Sequence, residues 1–223
     1  LGGEAGFRRL IAHGQSLGHQ VSVHDNFMMN IPHSPDWDPE CVTHDAFGQP
    51  LLHGWWSGGL EYQSWPLAFP PRRLAGHLER MADLGVNGIY YCDYMMQPLE
   101  VNHHPRHRGP RGDCARGQMA VLREAARAFG GSACELGTFQ GVLAADYVCY
   151  AANRPPHDDW PIVDLLDRSV PLWELALHGL VIKENAGLDW PDLMRAVLFG
   201  EHPRTQTSMR PFRDNLKPFG PDL

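Results

Sequence analysis

Nothing in the 223-residue sequence approaches roughly 18 consecutive apolar residues, so no segment reads as a transmembrane helix and no membrane partner is expected. Basic residues are scarce. Nineteen Lys and Arg stand against 26 Asp and Glu, a net charge of -7 that excludes nucleic acid as a partner, because phosphate binding needs a cationic surface. The one basic cluster, Arg106 to Arg116, is interrupted by Gly109, Pro110, Gly112 and Asp113 and reads as a loop. CxxC, HExxH and HxH spacings are all missing, which removes the common zinc frameworks. So are the P-loop and GxGxxG. The one turn placed to cradle a phosphate, Glu135-Leu136-Gly137-Thr138, puts a carboxylate where the phosphate would sit. Phosphoryl chemistry is excluded with it. Cysteine is sparse and odd in number, and Cys92, Cys134 and Cys149 lie in apolar strand-like runs, so buried free thiols are expected, with a lean toward a reducing, cytoplasmic compartment.

What is present is ordinary globular composition, 43% hydrophobic and 20% charged, in a helix-strand alternation that predicts a single α/β domain over 1–223. Phe7, Leu10, Ile11 and Gly14 share a helical face, Gly18 stops that helix, and Gln20 to Asp25 reads as a strand. A second unit pairs a helix carrying Leu74, Leu78, Met81 and Ala82 with the run Gly88 to Asp93. A third pairs Met119, Leu122 and Ala126 with the run Gly131 to Glu135. Leu143 to Tyr150 and Val170 to Leu177 are further strand candidates, the latter ending near His178. Asp158 to Arg168 reads as a short helix, and Asp189 caps another whose apolar face is Trp190, Leu193, Met194, Val197 and Leu198. A complete eight-unit barrel takes about 250 residues. The expected fold is therefore a (β/α)8 TIM-type barrel, incomplete, a fragment lacking the first strands. The opening Leu1-Gly2-Gly3-Glu4, with no Met and no strand before the first helix, supports the same expectation.

Two long stretches, 26–71 and 94–114, follow strand ends, where barrel loops build the active-site mouth. Strand-end carboxylates are the chemistry-bearing feature: Asp93 closes one run and Glu135 the next. Adjacent strands lie about 4.8 Å apart, so the pair can meet the separation of about 5 to 5.5 Å that double displacement at a sugar requires. One carboxylate then stabilises the oxocarbenium-like transition state while the other protonates the leaving oxygen. His24 and Asp25 end the preceding strand and His178 stands near a later strand end, positions suited to sugar hydroxyls. Trp55, Trp56 and Trp65 offer flat faces for pyranose rings, or a small core for their own loop. His103, His104 and His107 read as solvated loop histidines. The expected partner is an oligosaccharide or glycoside, with no cofactor. Two other readings stay open: a metal-assisted hydrolase using His24, Asp25 and His178, and a carbohydrate-binding barrel without catalysis.

His24-Asp25-Asn26 followed by Pro32-His33-Ser34-Pro35-Asp36-Trp37, then Gly88 to Asp93, Cys134-Glu135, and Val170 to His178 resemble the catalytic barrel of endo-α-N-acetylgalactosaminidase-like glycoside hydrolases and related bacterial barrel proteins of unassigned function. The likeness covers most of residues 20–180. It implies cleavage of α-glycosidic bonds with retention, Asp93 as nucleophile and Glu135 as acid/base, with His24, Asp25 and His178 on substrate hydroxyls. The stretch 94–114 departs from that pattern in its length and its His and Arg content.

Overall fold

The computed structural model describes residues 2–56, 59–68, 71–96, 99–135, 138–149, 172–177 and 179–185, with positions 194, 198, 200 and 202–203. The elements along the chain are helix α1 (Gly3–Ser16), strands β1 (His24–Asp25), β2 (Met29–Asn30), β3 (Leu52–Trp56) and β4 (Gly59–Gln63), helix α2 (Pro71–Asp83) and strand β5 (Tyr90–Cys92). They continue with helix α3 (Arg111–Phe129), strand β6 (Ser132–Glu135), helix α4 (Phe139–Val142), strand β7 (Tyr147–Cys149), helix α5 (Leu172–Leu177), and strands β8 (Ile182–Asn185) and β9 (His202–Pro203). Short 3-10 turns occupy Pro39–Cys41 and Asp93–Met96.

Six strands form one sheet in the order β1-β5-β6-β7-β8-β9, every neighbouring pair parallel. Sequential parallel strands joined through helices are the arrangement of a β/α barrel wall. Among the described residues β1 and β9 end this sheet, so it is a parallel wall that does not close into a barrel. The first three helix-strand units fall where expected. Ile11 of α1 is buried and Phe7 packs against the same core, while Leu10 is exposed. In α3 the buried positions Cys114, Gln118, Val121, Leu122 and Ala125 recur at helical spacing, and Gly130 ends the helix at φ 75°, a conformation that costs glycine little.

Four expectations change. Arg111 to Arg116 open α3 instead of continuing a loop. Val170 to Leu177 holds helix α5, and the next strand is Ile182–Asn185, whose Lys183 and Glu184 hide it from an apolar-run search. The 143–150 candidate shortens to Tyr147–Cys149, because Asp146 turns its carboxylate onto Ser132 N at 3.0 Å. The stretch 26–71 is not one loop: β2, β4 and β3 pair antiparallel within it, and a register shift between Leu52 and Gly54 breaks the alternation that would betray β3. The predicted helix 158–168, most of the one after Asp189, and His178 lie outside the described residues.

Strand pleating sorts the sheet into two faces. Tyr90, Cys92, Cys134 and Val148 join the core formed with Ile11, Leu74, Leu78, Val121, Leu122 and Ala125 of the helices. His24, Tyr91, Ala133 and Tyr147 take the opposite face, which in a β/α barrel is the interior.

Candidate active site

A groove of about 670 Å³ runs along the inner face, within the size range of small-molecule sites. His24, Tyr91 and Glu135 stand at its strand C-terminal end, and Ser22, Gly88 and Ile89 at the other. Asp93 sits behind His24, in the 3-10 turn that follows β5. One oxygen of Asp93, one oxygen of Glu135 and one nitrogen of His24 all lie within 4.8 Å of one another. Parallel pairing brings them together: Cys92 is in register with Cys134, so the residues one step further along each strand, Asp93 and Glu135, emerge side by side.

Asp93 is held from two directions. Asn26 Nδ2 donates to its Oδ2 at 2.7 Å, and His24 Nε2 lies 3.0 Å from its Oδ1. Oδ1 is shut off from solvent yet accepts no well-aligned hydrogen bond. Asn26 itself closes an Asx-type turn, its Oδ1 accepting from Met28 N and Met29 N at 2.9 and 3.0 Å. The turn thereby fixes the amide that orients the carboxylate. Glu135 is buried and accepts from Tyr91 OH at 3.3 Å, and the same hydroxyl contacts Cys149 Sγ. The ring of Tyr91 packs edge-on against His24, centroids 4.6 Å apart. Sequence analysis assigns no role to Asn26, Tyr91 or Cys149, and only an Asn directly after a strand hints at the turn.

Asp25 stands on the other side of the sheet from its neighbour. Its Oδ2 accepts from Tyr90 OH at 2.6 Å and meets His77 Nε2 at 2.5 Å, while its Oδ1 accepts from Asn26 N at 2.9 Å. Burial opposes the charge on Asp25, but the bonds from His77 and Tyr90 outweigh it and hold this carboxyl below its ordinary value. His77 is raised in return, chiefly by its bond to Asp25. Asp25 and His77 line a separate cavity of about 430 Å³. Trp65 is 2% exposed and packs onto Gly109, where an added Cβ would lie 2.7 Å from Trp65 Cζ2. Trp55 and Trp56 belong to β3, in register with Leu60 and Gly59. The sequence-predicted set thus divides: His24, Asp93 and Glu135 converge, Asp25 lies across the sheet, and Trp65 is enclosed.

Sequence alone gives no kinship, since neither a protein-family model nor a curated protein matches the chain. Structure does. The sheet and its helices are similar to part of a glycoside hydrolase fold. The solved proteins that carry it include the alpha-N-acetylgalactosaminidase NagBb from Bifidobacterium bifidum in complex with GalNAc (22% identity, TM-score 0.75, 92% of this chain and 34% of that one). The ligand-free form of the same enzyme matches at 23% identity and TM-score 0.77, over 97% of this chain and 36% of that one. Its complex with Gal-NHAc-DNJ matches at 24% and 0.76, over 92% and 34%. The chain therefore spans about a third of the length of these proteins.

Proposed function

We propose that this chain carries the catalytic groove of a glycoside hydrolase that cleaves α-glycosidic bonds with retention, with Asp93 as nucleophile and Glu135 as acid/base. The observation that carries the reading is the approach of the two carboxylates to within 4.8 Å at neighbouring strand ends beside the groove. Carboxylate oxygens this close suit the short separation of a retaining pair, about 5 to 5.5 Å, better than the about 6.5 to 9.5 Å of an inverting one. In this scheme Asp93 attacks the anomeric carbon as Glu135 gives its proton to the departing oxygen. Glu135 then takes a proton from water, which cleaves the glycosyl ester. Asn26 fixes Asp93 through Oδ2, so Oδ1 is the attacking atom once the sugar displaces His24, which is 59% exposed at its side chain. His24 and His178 then hydrogen-bond hydroxyls of the sugar, Trp55 and Trp56 supply its stacking surface, Asp25 positions Asn26 from behind, and Trp65 supports the loop. The NagBb likeness makes an α-linked N-acetylgalactosamine the first substrate to try.

In the full-length protein, Asp93→Gly should lower turnover of an aryl α-N-acetylgalactosaminide by at least about 10⁴-fold. Added azide should restore release of the phenol and give the β-glycosyl azide. Near-normal turnover by the variant would remove Asp93 from the role. A second reading rests on the same three residues, since His24, Asp93 and Glu135 also form a potential metal set. Metal-assisted hydrolysis would be lost on chelation and would yield no glycosyl azide from the Asp93→Gly protein.

A further inference from the structure

The histidines of the 94–114 stretch are not all left to solvent by the fold. His104 is 7% exposed, its ring 4.5 Å from that of His44 and 5.3 Å from that of His107, the latter pair nearly parallel. Glu40 reaches the same spot from the other insertion. One oxygen of Glu40 and one nitrogen each of His104 and His107 lie within 4.8 Å of one another, with Glu40 Oε2 3.9 Å from His107 Nε2. We infer that Glu40, His104 and His107 form a binding site for a divalent first-row transition-metal ion of the zinc class, joining the two insertions.

Four observations support this. Two ligands at about 2.0 to 2.2 Å from a tetrahedral zinc stand about 3.4 Å apart, so the group needs only a small closure around an ion. Glu40 is already fixed: its backbone N donates to Asp38 Oδ1 at 3.0 Å, and Arg106 donates to its Oε1 at 2.6 Å, leaving Oε2 toward His107. An outer hydrogen bond to a ligating carboxylate is the usual support of such a site. The ring packed on His104 is fixed too, since His44 Nδ1 lies 3.1 Å from the Val42 carbonyl. The two insertions already meet through His103 N to His44 O at 3.0 Å and His44 N to Asn102 Oδ1 at 2.8 Å, so the ligands need no large rearrangement. One bond must be given up. His104 Nδ1 accepts from Arg106 N at 3.2 Å, and a neutral imidazole has a single lone pair, so ligation releases that N–H to water at the exposed Arg106. Two imidazoles and one carboxylate select zinc, cobalt or nickel over calcium and magnesium, which require mostly oxygen ligands.

The site is independent of the glycosidase reading, and its test reads the metal itself. Full-length protein freed of metal with EDTA is titrated with Zn²⁺ by calorimetry and with Co²⁺ by visible absorption, and its Tm is measured with each. One equivalent should bind, Co²⁺ should give ligand-field bands, and Zn²⁺ should raise Tm where the same concentration of Ca²⁺ or Mg²⁺ does not. His107→Ala, at a half-exposed position, should weaken Zn²⁺ binding at least about tenfold and leave the metal-free Tm and circular dichroism unchanged. Glu40→Gln provides a second variant should His107→Ala not fold. No heat of binding and no cobalt bands at submillimolar metal would overturn the inference, as would undiminished Zn²⁺ affinity in both variants.

Discussion

His77 and Asp25 are each titrated by the other, and the pair makes a prediction about stability and pH. His77 is raised above 6.5 by its bond to Asp25, so its contribution is complete below pH 6.5 and is lost as pH rises through the folded value. Asp25 is lowered below 3.8, the bonds from His77 and Tyr90 having overcome burial, so its contribution is complete above pH 3.8 and is lost as pH falls through the folded value. Both are present between those limits. The side chain of His77 is 36% exposed and therefore screened, which puts the pair at about 1 kcal/mol, below the 3 to 5 kcal/mol typical of breaking a buried one. His77→Gln should lower Tm near pH 5 and bring the two proteins together at alkaline pH. A Tm difference that is flat with pH would show that His77 acts by packing alone, through its edge-on contact with Phe27. At this scale the sequence was partly legible. Ends of strands located His24, Asp93 and Glu135, but pleating sends Asp25 to the opposite face, and a two-residue strand displays too little alternation to show it.

Helix α3 meets the 26–71 stretch at Pro66 and Leu67, and one glycine makes that approach. A Cβ on Gly117 would lie 2.6 Å from Pro66 Cβ and 2.9 Å from Leu67 N. Backbone on one side and a proline ring on the other cannot swing away. Gly117→Ala should therefore destabilise the protein by about 1 to 3 kcal/mol through overpacking, although alanine favours a helix interior. Urea unfolding checks it, and a gain in stability would show that the helix can slide outward. Gly112→Ala, whose nearest contact is the flexible Arg116 guanidinium at 3.8 Å, is the matched control and should be neutral or stabilising. Elements with an apolar face at helical spacing were readable for this reason: α3 repeats its buried positions over several turns and α2 buries Leu74 and Leu78 one turn apart, whereas β3 is masked by its register shift and β8 by its charges. The helix over 172–177 shows the converse error, since Leu172-Trp173-Glu174-Leu175-Ala176-Leu177 is too short an apolar run for its period to separate strand from helix.

Across the whole molecule, the five free thiols sample every layer. Cys92 and Cys134 lie on the core face of the sheet, Cys149 beside Tyr91 near Glu135, Cys114 in α3, and Cys41 in the insertion where its Sγ donates to the Ala68 carbonyl at 3.3 Å. Burial pushes Cys41 and Cys134 up to about 12, Cys92 well above its ordinary value, and Cys114 in the same direction. Attack on a disulfide reagent needs thiolate and access, and these thiols lack both. The native protein should leave these four unreactive at neutral pH. In denaturant, all five should become reactive in a single transition that coincides with loss of helical circular dichroism, because one core joins α1, α2, α3 and the parallel sheet. Cys41 is the sensitive reporter. It is anchored to the antiparallel sheet of the insertion rather than to that core, so its exposure at lower denaturant than Cys92 and Cys134 would show that the insertion opens separately and is not part of the same cooperative unit.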